Sequence, residues 1–142
     1  MERTPVMTTL LPTPEPLLDT RTVGEAMHRG IVTCAPTASL REVAELLAEH
    51  SVHCAVVAGD PVRTLWGIVT DIDLVRGLGS TVPLVAGNLA ALDVITVAPQ
   101  DALQHAARLM AEHDVAHLIV VEDGTPVGIL STLDVARSAA AA

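Results

Sequence analysis

The chain has 142 residues, of which 50% are hydrophobic, and Trp66 is its only aromatic residue. Its formal net charge of −9 at pH 7 argues against nucleic-acid binding through phosphate contacts, and a single aromatic residue argues against base stacking. The absence of lysine excludes a lysine nucleophile or a P-loop. No segment approaches the roughly 18 consecutive apolar residues of a membrane-spanning helix, and prolines interrupt the N-terminus, so we expect a soluble cytoplasmic protein without a secretory signal.

An internal repeat organises most of the chain. Residues 1–19 are rich in Pro and Thr and show no apolar periodicity, which predicts a flexible tail. The repeat predicts a first motif at 20–80 and a second motif at 81–142. Equivalent residues, such as Pro36 and Pro99, are 63 positions apart in the first part of each motif and 61 apart in the last part. The difference falls in a predicted hairpin turn, where changes of length are tolerated.

Each motif predicts the same order of elements, which is strand, helix, strand, strand and helix. Apolar residues at helical spacing indicate the central helix over Leu40–His50 and Leu103–His113, and Thr70 and Ser131 each begin a last helix. Capping boxes are predicted at the central helices, from Ser39 with Glu42 and from Asp101 with Gln104. The predicted strands are Ile31–Cys34, Val52–Ala58, Leu65–Val69, Val94–Val97, Val115–Val121 and Val127–Leu130, with hairpin turns at Gly59–Pro61 and Asp123–Gly124.

Two motifs are needed to complete the fold. A single motif of about 60 residues forms only a marginal core and leaves one apolar face of its sheet uncovered. We therefore expect an α/β (α+β) fold of two β-α-β-β-α units, with small sheets packed face to face and helices outside. A pseudo-twofold axis relates the units and places two equivalent clefts between the sheets.

A hydroxyl and a carboxylate recur at the start of each last helix, as Thr70 with Asp73 and as Ser131 with Asp134. Their spacing of three places both on one side of the first turn, where the carboxylate can accept two hydrogen bonds from a vicinal diol such as ribose. The free N–H groups of that turn favour an anion, so a nucleoside monophosphate satisfies both demands. The same spacing fits a capping box, and the sequence leaves both interpretations open.

Residues 21–138 resemble a tandem pair of CBS domains, the Bateman module. The features that carry the resemblance follow the same order in both motifs, and in the first motif they are the Val-Gly-Glu-Ala-Met segment ending at Met27, the Val-Thr-x-x-Pro strand end, a helix ending in Glu-His-x-Val, the hairpin and Gly-h-h-[Ser/Thr]-x-x-Asp. In the second motif the first two features read Val-Ala-Gly-Asn-Leu and Ile-Thr-x-x-Pro. The resemblance implies two CBS units and a regulatory module, not an enzyme, that binds AMP, ADP, ATP or S-adenosylmethionine and dimerises with a second copy. Because tail and repeats use up the chain, we expect it to stand alone and to act on a separate partner protein.

The resemblance also implies which residues hold the ligand. Thr70 and Asp73 would hold a ribose in one cleft, and Ser131 and Asp134 would hold a ribose in the other. Residues of the first strand of each motif would flank the adenine, and nearby basic or imidazole groups would contact phosphate. The residues assigned to adenine or phosphate in this way are Val32, Thr33, Cys34, Ile95, Thr96, Val97, His53, His117, Arg76 and Arg137.

The chain departs from the family before the second strand of each motif. Many members have a basic residue followed by Leu-Pro there, whereas this chain has Cys54-Ala-Val and His117-Leu-Ile. Arg76 and Arg137, three residues beyond each Asp, remain as phosphate contacts or as partners in i,i+3 ion pairs. The missing basic residues keep a second interpretation open, in which the CBS-pair dimer binds no nucleotide and acts as a structural or interaction protein, including one that responds to stress or redox state.

The cysteines and histidines allow two further hypotheses. Cys34, Cys54, His53 and His117 have donor types that suit zinc, but they lack the usual ligand spacing. A disulfide between Cys34 and Cys54 requires the first two strands to be neighbours. In a reducing compartment we expect two free thiols, no bound metal and no required cofactor.

Overall fold

The computed structural model describes residues 17–18, 20–58, 66–92 and 94–142. Residues 1–16 and 19 of the predicted tail, and the predicted turn at Gly59–Pro61, lie outside the described residues. The helices are α1 (Val23–Ala26), α2 (Leu40–His50), α3 (Asp71–Leu78), α4 (Ala86–Leu89), α5 (Leu103–His113) and α6 (Thr132–Ala140). The strands are β1 (His28–Arg29), β2 (Thr33–Cys34), β3 (Cys54–Ala58), β4 (Trp66–Thr70), β5 (Thr96–Val97), β6 (His117–Glu122) and β7 (Thr125–Ser131).

The strands form two small sheets, which confirms the predicted fold class. The first sheet has the order β2-β3-β4, and the second has the order β1-β7-β6-β5. In each sheet a two-residue strand pairs parallel with the strand that follows its helix, and that strand pairs antiparallel with its hairpin partner. The second hairpin turns through Asp123 and Gly124, whose φ angles of 51° and 77° fit the type I′ turn that Asp-Gly favours.

Three apolar layers hold the sheets and helices together. Side chains alternate between the two faces of a strand, and β6 shows the consequence. Leu118 and Val120 pack among the helices of the second repeat, whereas Ile119, fully buried, packs against residues of the first sheet. Because β3 alternates in the same way, both strands are buried on both faces, which explains why each appears in the sequence as a continuous apolar run.

The central helices begin and end where the apolar spacing predicts. At α2 the predicted capping box is present, since the N–H of Glu42 donates to Oγ of Ser39 and the N–H of Ser39 donates to Oε1 of Glu42, both at 3.1 Å. The predicted box at Asp101 is wrong. Ala102 is the N-cap of α5 and makes no side-chain cap, while Asp101 accepts a hydrogen bond of 2.8 Å from the N–H of Ala98 in the preceding turn.

The short helices α1 and α4 are exchanged between the repeats, which the contiguous motifs in the sequence did not predict. Val23 in α1 is fully buried in the core of the second repeat. The N–H of Gly24 donates to the carbonyl of Pro99 (2.8 Å), and the N–H of Gly87 donates to the carbonyl of Pro36 (2.8 Å). A Cβ at either glycine would lie 3.0–3.1 Å from that proline oxygen, which is a tight contact, so the close crossing of the chains favours glycine there.

Strand β1 is a second feature that the sequence did not predict. It extends the second sheet by pairing antiparallel with β7, with His28 opposite Ile129. The pseudo-equivalent contact in the first sheet is a single bridge between Ile68 and Ala91. The exchange therefore brings the segment after α1 against the second repeat and places His28 beside the start of α6.

Candidate functional site

The two hydroxyl–carboxylate pairs form capping boxes at α3 and α6. In α6 the N–H of Ser131 donates to Oδ2 of Asp134 (2.8 Å), and the N–H of Asp134 donates to Oγ of Ser131 (3.1 Å). In α3 the same reciprocal bonds join Thr70 and Asp73 at 3.0 and 3.2 Å, and the Thr70 hydroxyl also donates to Oδ2 of Asp73 (3.0 Å). The capping interpretation is thus present at both sites. It fixes both carboxylates in place, and ribose binding stays a prediction.

The two carboxylates differ in their surroundings. Asp134 is only 4% exposed, whereas Asp73 is half-buried. Nδ1 of His28 lies 2.9 Å from Oδ1 of Asp134, so one carboxylate oxygen meets the Ser131 N–H and the other meets an imidazole. The residue at the position of His28 in the other repeat is Ala91, whose side chain cannot make this contact.

A cavity of about 480 Å³ lies in front of Asp134. Residues of both repeats line it. The first repeat supplies the segment around β1 and the start of β3, and the second repeat supplies the start of β6, the end of β7 and the start of α6. The predicted site residues that line the cavity are Val32, His53, His117, Ser131, Asp134 and Arg137. The structure thus gathers one predicted hydroxyl–carboxylate pair and predicted residues of the other repeat around one space.

The remaining predicted residues do not line this cavity. Thr70, Asp73 and Arg76 lie at the start of α3 and along it, where the sequence predicts the second cleft. Cys34 packs against the core of the first repeat, and Val97 is buried in the core of the second. The predicted residues outside the cavity are Thr33, Cys34, Thr70, Asp73, Arg76, Ile95, Thr96 and Val97.

Sequence reasoning missed three charged or titratable residues that line the cavity, namely His28, Arg29 and His50. His28 and Arg29 form β1, whose two residues are too few to show a strand pattern. Comparing the repeats would have singled out His28, because the residue 63 positions later is Ala91, whereas His50 has its match at the end of α5.

His117 lies between the two carboxylate sites. It is directly opposite Ser131 in the β6–β7 pairing. Burial lowers the pKa of His117, and the nearby carboxylates of Asp71, Asp134 and Asp73 oppose that shift only in part. At neutral pH His117 is therefore an uncharged hydrogen-bonding group, which disfavours the predicted role as a charged phosphate partner.

His53 and Asp71 form a hydrogen-bonded pair beside the cavity. Nδ1 of His53 lies 3.0 Å from Oδ2 of Asp71, and both side chains are at least half exposed. This hydrogen bond is the main reason that the pKa of Asp71 is lowered. The contact ties the start of β3 to the start of α3, next to the bond from the Asp71 N–H to the His53 carbonyl (2.8 Å).

The two cysteines cannot form a disulfide in this fold. Strands β2 and β3 are neighbours, but Cys34 is opposite Val57, three residues along β3 from Cys54. That offset alone is about 10 Å, whereas the Cα atoms of a disulfide lie within about 7 Å. Both thiols are free, and burial raises the pKa of Cys34 and raises that of Cys54 to about 11, so neither is an activated thiolate.

Neither a metal-binding cluster nor a membrane-spanning helix is present among the described residues. No three His, Cys, Asp or Glu side chains in this part of the chain are arranged to hold a metal ion, so the hypothetical zinc donors do not converge. None of the helices that the structure describes has the length and apolar character needed to cross a membrane.

Comparisons with known proteins identify relatives of the whole repeat pair. A family model described as CBS domain matches residues 23–80 and 86–141. The chain is 36% identical over 113 residues to homoserine O-acetyltransferase of Methanocorpusculum labreanum, a match that covers 78% of this chain and 23% of that enzyme. The chain thus spans about a quarter of that relative's length.

Two other relatives match over most of their own length. Hypoxic response protein 1 of Mycobacterium tuberculosis is 29% identical over 120 residues, which cover 82% of this chain and 83% of that protein. The crystal structure of CBSX2 in complex with AMP superposes with a TM-score of 0.69 at 32% identity, over 84% of this chain and 96% of that one. The similarity therefore lies in the two repeats and their arrangement.

Proposed function

The chain belongs to the CBS domain family as a tandem pair, and we propose that it is a regulatory module that binds an adenosine-containing ligand between its repeats. The ligand class is AMP, ADP, ATP or S-adenosylmethionine, and the module catalyses no reaction of its own. The observation that carries the proposal is the cavity of about 480 Å³ lined by both repeats, with Ser131 and Asp134 in its wall. Its volume is in the usual range for small-molecule sites, and a relative was solved with AMP.

In this proposal Asp134 and Ser131 hold the ribose. The capping box fixes the carboxylate, and a carboxylate has lone pairs for more donors than the Ser131 N–H. Val32 offers an apolar surface and backbone groups to the adenine from the first repeat. The exposed guanidinium groups of Arg29 and Arg137 supply charge for a phosphate.

The second cleft would use Thr70 and Asp73 in the same way, with Arg76 one turn further along α3. The first strand of the second motif would flank the adenine, through Ile95, Thr96 and the backbone of Val97. This assignment rests on the equivalence of the two capping boxes.

Ligand binding would act on a separate partner protein by shifting the arrangement of the repeats. A ligand that touches both repeats favours the arrangement in which its contacts are best made, and it shifts the population by its difference in affinity. The exchanged helices α1 and α4 cross between the repeats and would transmit the change.

We also propose a homodimer that buries the outer face of α3. Ile72, Val75 and Leu78 are 54%, 64% and 59% exposed, although they are aliphatic and lie on one side of the helix. Leu133, the equivalent of Ile72 in α6, is 50% exposed. A second copy related by a twofold axis can cover the face with the same residues, as a twofold interface requires.

A calorimetric titration of the purified full chain with AMP, ADP, ATP and S-adenosylmethionine tests ligand binding. The variants are Asp134→Asn and Asp73→Asn, which remove one carboxylate charge each and keep the side-chain size. The control is Asp114→Asn, at an exposed position away from the cavity, where φ is 53° and Asn is well tolerated. We expect saturable binding that Asp134→Asn weakens at least tenfold and that the control leaves unchanged.

The outcomes separate the two candidate functions. Binding that survives both Asp→Asn substitutions would show that the ligand is held elsewhere and that the site assignment is wrong. An absence of heat with all four ligands, on folded protein freed of bound nucleotide, would contradict the sensor. The other candidate is a dimeric structural or interaction protein, and the Asp134 carboxylate supports it because both oxygens already have partners from the chain itself.

A further inference from the structure

His28 contacts the carboxylate of one hydroxyl–carboxylate site directly, and the other site has an alanine at the equivalent position. Its Nδ1 lies 2.9 Å from Oδ1 of Asp134, and its side chain is 68% exposed whereas that of Asp134 is 3% exposed. The pairing of His28 with Ile129, and of Ala91 with Ile68, shows that Ala91 is its structural equivalent beside the other site. Asp73 therefore has no imidazole at the corresponding position.

We propose that His28 is an internal competitor for the Asp134 carboxylate, so that a ribose diol must displace the imidazole at this cleft but not at the Asp73 cleft. The inference rests on the proposed function and adds the regulation of the same site. Displacement is feasible because the backbone of β1 is held by β7, while the exposed side chain of His28 can rotate into solvent about χ1. The two clefts then differ in affinity and in their response to pH.

The direction in which pH changes ligand binding follows from the contact between His28 and Asp134. A protonated His28 forms a charge-assisted hydrogen bond with the ionised carboxylate, which is stronger than the bond made by the neutral ring. Acidification therefore stabilises the ligand-free state and weakens the binding of a ligand that needs Asp134. At higher pH the neutral imidazole is displaced more easily.

The other arginine and histidine side chains of the cavity strengthen the binding of a phosphorylated ligand when they are positively charged, whereas a protonated His28 weakens it. The groups that line the same space are Arg29, His50, His53, His117 and Arg137, and Asp71 pairs with His53. Protonation of these imidazoles attracts a phosphate, whereas it does not favour an uncharged nucleoside. Adenosine therefore reports the competition at Asp134 without the phosphate contribution, and AMP reports both.

The test measures adenosine and AMP binding by calorimetry at pH 6.0 and pH 8.5, in the Asp73→Asn background so that only the Asp134 cleft is observed. We expect His28→Ala to tighten adenosine binding about three- to tenfold at pH 6.0 and about twofold at pH 8.5. His113→Ala is the matched control, because His113 is an exposed histidine at the end of α5 and does not line the cavity. It should leave adenosine binding within about twofold.

The reciprocal variant moves the competitor to the other cleft. Ala91→His, in an Asp134→Asn background, places an imidazole at the equivalent position beside Asp73. We expect adenosine binding at the Asp73 cleft to weaken about three- to tenfold at pH 6.0 and to become pH-dependent. Unchanged binding would contradict the claim that an imidazole at this position competes with the ligand for the carboxylate.

The failures of the two proposals are distinguishable. If adenosine binds at the Asp134 cleft and His28→Ala weakens it, His28 is a ligand contact and the competition is refuted, while the sensor stands. If neither adenosine nor AMP binds any of the variants, the sensor fails and the competition fails with it. A thermal unfolding cycle of His28→Ala and Asp134→Asn at pH 6.0 tests the contact without ligand, and additive losses of Tm would also overturn it.

Discussion

Val23→Ala is expected to destabilise the second repeat, although Val23 belongs to the first motif in the sequence. The Val23 side chain is fully buried and packs with Leu103 and Leu118 in the second core. The substitution removes two methyl groups, which are worth about 1.6 kcal/mol of transfer free energy, and it leaves a small cavity. We expect the free energy of unfolding to fall by about 2–3 kcal/mol.

Urea unfolding followed by circular dichroism measures this loss. With a denaturant slope of about 2 kcal/mol/M, the midpoint should fall by about 1 M or more. Val82→Ala is the matched control, because it makes the same chemical change at a side chain that is 63% exposed. The control should change stability by less than about 0.5 kcal/mol.

Hydrogen exchange locates the effect. Amides of β6, around Leu118 and Val120, should lose protection in Val23→Ala before those of β3, since α1 packs on the second repeat. A loss that began in β3, or a change in midpoint no larger than that of Val82→Ala, would refute the exchanged packing of α1.

Three further predictions concern the dimer, the thiols and the pH response. Val75→Asp should convert the dimer into a monomer, because the introduced charge lies in the centre of the apolar face of α3. Sedimentation velocity measures the change, and an unchanged sedimentation coefficient would place the interface elsewhere. At pH 7.5 Cys34 and Cys54 should react slowly with a thiol reagent in the folded protein and fully in urea, since burial raises the pKa of both thiols. Mass spectrometry after treatment with a mild oxidant should show no intramolecular disulfide, and finding one would refute the register of β2 against β3. Burial lowers the pKa of His117, so the unfolded chain takes up a proton near pH 6.5 more readily than the folded chain does. The free energy of unfolding should therefore fall as the pH drops below about 6.5. His117→Gln should reduce that fall, and the same dependence of unfolding free energy on pH in the variant would contradict the prediction.

The sequence determined the elements and the family. The spacing of apolar residues predicted Leu40–His50 and Leu103–His113 with the bounds that the structure has, because one apolar helix face is a local pattern. The strands that are buried on both faces, β3 and β6, appeared in the sequence as continuous apolar runs. The internal repeat implied two stacked units. The capping-box spacing at Thr70 and Ser131 was also visible, since its bonds join residues three apart.

The tertiary structure alone decided how the repeats are joined. The repeat predicted two contiguous motifs, but α1 and α4 pack on the opposite repeat, and no local pattern records which core a short apolar segment enters. The register of β2 against β3, which separates Cys34 from Cys54, is likewise fixed only by packing.

In the candidate site, too, one part was predictable from the sequence and another part depends on the tertiary structure. The hydroxyl–carboxylate pairs were evident from spacing, whereas the contact between His28 and Asp134 joins residues more than a hundred positions apart. It exists because the exchange of α1 places β1 on the edge of the second sheet. Local hydrogen bonds and periodicity are therefore encoded within a few residues, while the inequivalence of the two clefts depends on long-range packing that brings one imidazole to one carboxylate.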